Sequence, residues 1–232
     1  ELAPTKATNF ILPSSRFMPK GISKNHKVDI LNSYPFDNWK KLSNDLSSTY
    51  VFGIQLGDDW FRWRRQEKVD RLILETLKEI GIKKCIGRPH PIELTINHRV
   101  KYYQELQEKY PFLELDLSPY HDSFFKEISC LISYVPSTLV QQALLSKRQV
   151  IIVEPQEFTH ANSSAISISH GLAKACFGGK DLKVIINEFK SMSSSEKDKS
   201  WHGYLDELGI DKDIEISISD FLQIAFKKNI NV

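Results

Sequence analysis

The chain has 232 residues, of which 41% are hydrophobic and 26% charged, and its formal net charge is +2 at pH 7. This composition is ordinary for a globular protein, and no dense run of Lys and Arg indicates strong nucleic-acid binding. No apolar run approaches the roughly 20 residues that cross a bilayer, and the first residues lack the charged and apolar segments of a signal peptide.

The three cysteines, Cys85, Cys130 and Cys176, are odd in number and far apart in the sequence. This usage fits reduced thiols in a cytoplasmic protein better than a disulfide framework. Because a free cysteine behaves as a small hydrophobic residue, we predict that they are buried structural side chains.

Residues 1–47 are rich in Pro, Ser, Asn and Lys, which predicts an irregular N-terminal extension. The domain proper, residues 48–232, begins with a strand-like run over 50–56 that ends at Gly57. Apolar residues at helical spacing then predict a helix over 64–80, with Gly81 as its C-cap.

A short buried strand is predicted over 84–87, followed by Arg88, Pro89, His90 and Pro91, where the two prolines argue against a helix. The next helix is predicted over 97–109 and is stopped by Pro111. Its inward-facing side chains are expected to be Val100, Tyr103 and Leu106.

Strand and helix then alternate: strands are predicted over 113–115, 130–134 and 149–153, and helices over 123–128 and 137–145. Each connection is long enough to hold a helix, which is typical of right-handed crossovers between parallel strands. The predicted fold is therefore α/β, a Rossmann-like parallel sheet with helices on both faces. Beyond residue 153 we expect a helix over 180–189, a polar loop over 191–200, a strand within 214–218 and a helix over 219–226.

Two turns are the main candidates for a functional site. His90 follows one predicted strand, and Ser137 and Thr138 follow another just before a helix. In a parallel sheet both turns leave the same carboxyl edge, where such sheets bind ligands, so imidazole and hydroxyl groups can converge on one phosphate. The alternatives are that Ser137 only caps its helix and that His90 is only a turn residue.

Further candidates lie at the same edge. Arg88 can add positive charge to the pocket or be a solvated surface residue, and Gly57 precedes the paired carboxylates Asp58 and Asp59. Those carboxylates can act as a base or bind substrate hydroxyls, or can simply cap the following helix. Two later stretches that follow strands supply weaker candidates, which are Asp116, Ser118 and His121 in the first and Glu154, Glu157 and His160 in the second.

The sequence lacks the motifs that mark several common classes of enzyme and binding site. The sequence has no metal-ligand spacing, Walker loop, GxGxxG fingerprint or GxSxG elbow. No metal site is therefore predicted, and the NTPase, dinucleotide-binding and hydrolase classes lose their support.

The segments RPHP, at 88–91, and YVPST, at 134–138, together with the order of elements between them, resemble the C-terminal, donor-binding half of bacterial GT-B glycosyltransferases. The likeness spans roughly residues 50–153 and is nearest to the CMP-sialic acid and CMP-Kdo dependent transferases of surface polysaccharide synthesis. It implies that His90 contacts the donor phosphate and assists its departure, and that Ser137 and Thr138 bind the same phosphate. It also implies that Glu154 approaches the nucleotide.

The resemblance implies a transferase that uses a nucleotide sugar and a glycan acceptor, without a further cofactor. It further implies a cytoplasmic location, with peripheral association at the inner face of the membrane. These families carry their base in a preceding domain, whereas only about 47 residues precede the sheet here. The chain is then either a donor-binding half or a compact relative, with Asp58 and Asp59 as the available acids.

Two other functions stay open. One is a CDP-glycerol or related polyol phosphotransferase, whose C-terminal half also pairs a His-containing strand end with a Ser-rich turn. The other is a non-catalytic Rossmann-like module that binds a nucleotide or a partner protein. The sugar, the acceptor and the oligomeric state are not determined by these patterns.

Overall fold

A computed structural model describes residues 9–12, 27–30, 50–57, 63–118, 121–134, 137–154 and 169–208. The strands are β1 Asn9–Leu12, β2 Lys27–Ile30, β3 Phe52–Leu56, β4 Cys85–Pro89, β5 Leu113–Leu115, β6 Cys130–Ser133, β7 Gln149–Val153 and β8 Ala173–Cys176. The helices are α1 Trp63–Glu79, α2 Asn97–Lys109, α3 His121–Glu127, α4 Thr138–Leu145, α5 Gly179–Ser191 and α6 Ser194–Leu208, with a short 3-10 helix at Pro91–Thr95.

Among the described residues, the main sheet has six parallel strands in the order β5-β4-β3-β6-β7-β8. The chain moves outward from β3 through β4 to β5, then returns to the other side of β3 and moves outward through β6, β7 and β8. Every connection between consecutive strands from β3 to β7 contains a helix, as parallel pairing requires. The fold is thus the Rossmann-like parallel sheet that the alternation predicts.

Helices cover both faces of this sheet. Phe52, Ile54 and Leu56 of β3 belong to a core cluster that also contains buried residues of α1, α2 and α5. Buried residues of α3, α4 and α6 form the second cluster on the opposite face. Since side chains alternate along a strand, Gly53 and Gln55 of β3 point to this second face.

Several predicted elements differ from the observed ones. The segment predicted as a polar loop over 191–200 mostly belongs to α6, and β8 was not predicted. The prolines do not prevent the 3-10 helix, because Pro91 occupies its first turn, where no intrahelical N–H is needed. In α2, Arg99 is fully buried whereas Val100 is only partly buried.

Within the N-terminal segment predicted to be irregular, β1 and β2 pair in parallel as a separate two-stranded sheet. The predicted elements over 214–226 lie outside the described residues. The domain boundary near residue 48 stays a prediction.

Both outer strands of the main sheet are short: β5 has three residues and β8 has four. Glu114 of β5 forms an ion pair with Lys84 at 2.9 Å, and Lys174 of β8 is paired with Glu188 of α5. The outermost strands therefore carry charged side chains.

None of the helices in the described ranges is long and apolar enough to span a membrane.

Candidate functional site

The sheet has its topological switch point between β3 and β6, since the chain runs outward in opposite directions from these two strands. In open parallel sheets, the crevice outside the carboxyl ends at such a point is the usual ligand site. The His90 turn follows β4 and the Ser137 turn follows β6, with only β3 between them. Two strand spacings amount to about 10 Å, so both turns lie beside the place where such a crevice is expected.

Gln55 links the two sides of the switch point. Its side-chain oxygen accepts a hydrogen bond from the Ser133 hydroxyl at 2.8 Å and another from the Ser137 hydroxyl at 2.7 Å. A buried amide on a central strand needs such partners, because leaving it unsatisfied costs about 1–3 kcal/mol. Gln55 therefore ties β3 both to the end of β6 and to the start of α4.

Ser137 is the N-cap of α4. Its backbone is extended, and its hydroxyl oxygen accepts a hydrogen bond from the Val140 N–H at 3.4 Å. The capping alternative is therefore real for this residue. The first N–H groups of any α-helix have no intrahelical acceptor, so those of residues 138 and 139, together with the positive end of the helix dipole, can bind an anion at this end of α4. The side chains of Thr138 and His121 lie outside the described part of the chain, as do Asp58, Asp59, Glu157 and His160.

His90 extends the β4–β3 ladder, because its N–H donates to the Leu56 carbonyl at 2.9 Å. Its Nδ1 accepts a hydrogen bond from the Ile92 N–H at 3.4 Å, which caps the 3-10 helix. A neutral imidazole whose Nδ1 accepts carries its proton on Nε2. In the neutral imidazole, this hydrogen bond favours the tautomer that carries the proton on Nε2.

Arg88 is not the solvated surface residue of the alternative interpretation, since only 4% of it is exposed. Its guanidinium pairs with Asp116, donates to the Ser118 carbonyl at 2.9 Å and lies over the Phe124 ring, 5.7 Å from its centroid. Arg88 is also the register partner of Gln55. It joins the carboxyl end of β4 to the loop after β5, and Asp116 balances its charge.

Gly57, at the end of β3, has a φ of +77°, which favours glycine. A Cβ built there would lie 2.5 Å from the carboxyl carbon of Glu93. The turn therefore has two reasons to lack a side chain: its backbone conformation and the closeness of this carboxylate.

Glu93 belongs to a buried polar network that the sequence analysis did not identify. Its carboxylate accepts from Arg99 Nε at 2.8 Å and from the Tyr103 hydroxyl. Arg99 is fully buried and also binds Glu67 at 3.0 Å, while its guanidinium lies 4.7 Å from the Tyr102 ring centroid. The sequence gives little indication of this buried network, because most Glu and Arg residues on helices are exposed to solvent.

Asp70 of α1 lies at the inner side of this network and is fully buried. Burial raises the pKa of Asp70 to about 7, although a 3.0 Å hydrogen bond from the Tyr102 hydroxyl and the charge of Arg99 both lower it. The nearby Gln66 amide also lowers the pKa of Asp70, although neither polar atom of the Gln66 side chain forms a hydrogen bond with the described residues. Asp70 is therefore a carboxyl group that changes charge near neutral pH.

Glu154 directly follows β7, and only 1% of it is exposed. Its N–H donates to the Cys176 carbonyl of β8 at 2.8 Å. It thus lies at the same edge of the sheet as the two turns, on the far side of β6 from Gln55.

Among the residues that the structure describes, no group of three or more His, Cys, Asp or Glu side chains is arranged to hold a metal ion.

No family model matches the sequence, and no curated protein sequence matches it. Among solved structures, the chain is similar in fold to the C-terminal domain of a glycosyl transferase group 1 family protein (LpcC) from Francisella tularensis. The TM-score is 0.43 at 11% identity, covering 78% of this chain and 93% of that domain.

A second similar structure is the UDP-GlcNAc 2-epimerase of Methanocaldococcus jannaschii, with a TM-score of 0.49, 12% identity and 75% of this chain covered. A third is WaaG, a glycosyltransferase involved in lipopolysaccharide biosynthesis, with a TM-score of 0.44, 14% identity and 79% covered. The matched region spans 51% of the epimerase chain and 48% of the WaaG chain.

Proposed function

We propose that the chain binds a nucleotide-activated sugar at the carboxyl edge of its sheet and transfers the sugar to a hydroxyl group of a glycan. The donor we propose is a CMP-linked sugar of the sialic acid or Kdo type. The observation that carries this proposal is the placement of two turns at the switch point, where Gln55 bonds Ser137 at the start of α4 and the His90 turn lies on the other side of β3.

The donor phosphate would lie between these two turns. On one side, the backbone N–H groups of residues 138 and 139 and the positive end of α4 favour an anion. On the other side, His90 Nε2–H can donate a hydrogen bond, because Nδ1 is occupied by the Ile92 N–H. Arg88 contributes less than a lone arginine would, since its charge is balanced by Asp116.

The reaction we propose is a displacement at the anomeric carbon. The bond from that carbon to the phosphate oxygen breaks, its electron pair leaves with CMP, and the acceptor oxygen forms the new bond as its proton passes to a base. A phosphate is already a good leaving group, so electrostatic stabilisation by His90 and α4 can carry much of the catalysis. Asp58 and Asp59 are the candidate bases, and Glu154 is the candidate contact for the nucleoside.

Nucleotide binding is the first test. Thermal-shift and calorimetric titrations would compare cytidine, CMP, CDP, UDP and GDP, since a ligand of the native state raises its melting temperature. We expect CMP to bind more tightly than cytidine. The absence of binding by every nucleotide would overturn the proposal.

Turnover is the second test. We expect release of CMP from a CMP-sugar in the presence of a glycan acceptor, and we expect His90→Ala to lower it by roughly a hundredfold. Turnover of CDP-glycerol instead would favour the polyol phosphotransferase, and binding of CMP without turnover would favour a binding module. Unchanged turnover in His90→Ala would remove His90 from the mechanism.

A further inference from the structure

Glu93 is hydrogen-bonded to the His90 turn through its main chain, and its side chain packs against the end of β3. Its N–H donates to the His90 carbonyl at 2.9 Å, within the 3-10 helix that His90 caps. Its carboxylate lies against Gly57, at the carboxyl end of β3. One residue thus connects the turn that carries the imidazole to the strand beside the crevice.

The carboxylate of Glu93 is fixed by the buried network. Arg99 Nε and the Tyr103 hydroxyl both donate to it, and only 4% of Glu93 is exposed. Since Arg99 and Tyr103 belong to α2, the position of the 3-10 helix is set by the helix that follows it. A buried ion pair often adds little net stability. The Glu93–Arg99 pair is therefore important here because it fixes the position of the Glu93 side chain.

We propose that Glu93 is a positioning residue that acts through His90 and holds the imidazole Nε2–H toward the phosphate of the bound donor. The identity of that phosphate rests on the proposed function, whereas the hold on the imidazole does not. Loss of the Glu93 charge leaves Arg99 without its nearest carboxylate and frees the 3-10 helix to shift. The imidazole is then no longer fixed at the edge of the crevice.

The chain offers a matched control for this proposal. Glu75 of α1 pairs with Lys109 of α2 at 2.8 Å, but both side chains are exposed. Glu75→Gln therefore removes a carboxylate charge from an ion pair of α2, as Glu93→Gln does, at a surface position. It lies in no part of the proposed binding machinery.

The first experiment needs no ligand. Long-range 1H–15N spectra report the tautomer of each of the seven histidines. The His90 signals are assigned as those that are absent from the spectrum of the His90→Ala variant. We expect wild-type His90 to be protonated on Nε2, and Glu93→Gln to shift the His90 signals toward a mixture of tautomers. Glu75→Gln should leave them unchanged. His90 signals identical in wild type and Glu93→Gln would overturn the proposal.

The second experiment measures the ratio of the dissociation constants of cytidine and CMP. This ratio reports contacts to the phosphate, because a general loss of folding weakens the binding of both ligands. We expect Glu93→Gln to lower the ratio by about tenfold, the size of one charge-assisted hydrogen bond. We also expect His90→Ala to have little further effect in the Glu93→Gln protein. Independent, additive losses would mean that Glu93 does not act through His90.

Glu93→Gln can fail to fold, because it leaves the buried Arg99 with only the partly exposed Glu67 to balance its charge. Tyr103→Phe is the milder variant, since it removes one donor to Glu93 and keeps the ion pair. It should shift the His90 signals and lower the ratio in the same direction. If wild type binds no nucleotide, the proposed function fails, and the tautomer spectra still decide the role of Glu93.

Discussion

Ser137 donates a hydrogen bond to the side chain of Gln55, which lies 82 positions earlier in the sequence, over 2.7 Å. The start of α4 is therefore fixed to β3, a strand adjacent to the one that precedes the helix. This cross-strand bond places the N-terminus of α4 beside the end of β3 at the switch point. It also gives Ser137 a measurable role in stability that is independent of any ligand.

Ser137→Ala removes both the cap of α4 and the bond to Gln55. We expect the free energy of unfolding to fall by about 1–2 kcal/mol, the range for a lost helix cap with a buried partner. Urea denaturation measures this change. Ser191→Ala is the control, because its exposed hydroxyl bonds only a carbonyl of its own helix, and we expect a change within about 0.5 kcal/mol. Equal effects of the two substitutions would contradict the role of Ser137.

Gly57→Ala and Gly81→Ala form a matched pair. Both glycines have left-handed backbone conformations, with φ of +77° and +74°, but a Cβ at Gly81 would meet no atom within 4 Å. Gly81→Ala should cost about 1 kcal/mol from backbone strain alone. Gly57→Ala also forces a methyl group against Glu93, so we expect at least twice that cost. Similar unfolding free energies would argue against close packing of Glu93 on Gly57.

Asp70 should make stability depend on pH. Burial raises its pKa from 3.8 to about 7, so the folded protein holds this proton more tightly than the unfolded chain does. The resulting stabilisation is complete below pH 4 and is lost as pH rises toward 7, by an amount on the order of 4 kcal/mol.

The comparison of wild type with Asp70→Asn isolates this effect, because asparagine does not titrate and can still accept from Tyr102. Between pH 4 and pH 7 we expect wild type to lose stability relative to the variant in urea denaturation. Parallel stability curves for the two proteins would show that Asp70 ionises normally.

The three cysteines should be unreactive in the folded protein. All are buried and free, and burial raises the pKa of each thiol to about 12. We expect Ellman's reagent to label none of them at pH 7.5 within minutes, and to label all three in concentrated guanidinium chloride. Rapid labelling of the native protein would contradict their burial.

The parallel sheet could be predicted from the sequence because its signal is local. Apolar strand segments, and connections long enough for helices, appear in order from residue 50 to residue 153. The same local criterion missed β8, whose sequence Ala-Lys-Ala-Cys has no large apolar side chain, and α6, whose first turns are Ser- and Lys-rich. The buried residues of α6, Trp201, Tyr204 and Leu205, are confined to its second half.

The polar contacts at the carboxyl edge could not be predicted, because each depends on which strands are neighbours. Gln55 within an apolar strand gives no hint of Ser133 and Ser137 until β6 lies beside β3. Glu93 and Arg99 resemble ordinary surface charges until α2 packs over the 3-10 helix. The positions of His90 and Ser137 at one edge followed from parallel topology, whereas their roles as phosphate ligands stay a prediction.

The brevity of β5 and β8 has a consequence for self-association. An outermost strand exposes a row of unpaired backbone groups, which another molecule can extend into an aggregate. With three and four residues, these two strands offer few such groups, and the ionic side chains Glu114 and Lys174 would have to be desolvated by an incoming strand. The outermost strands of the main sheet, as far as the described residues extend, are thus poor templates for fibrillar growth.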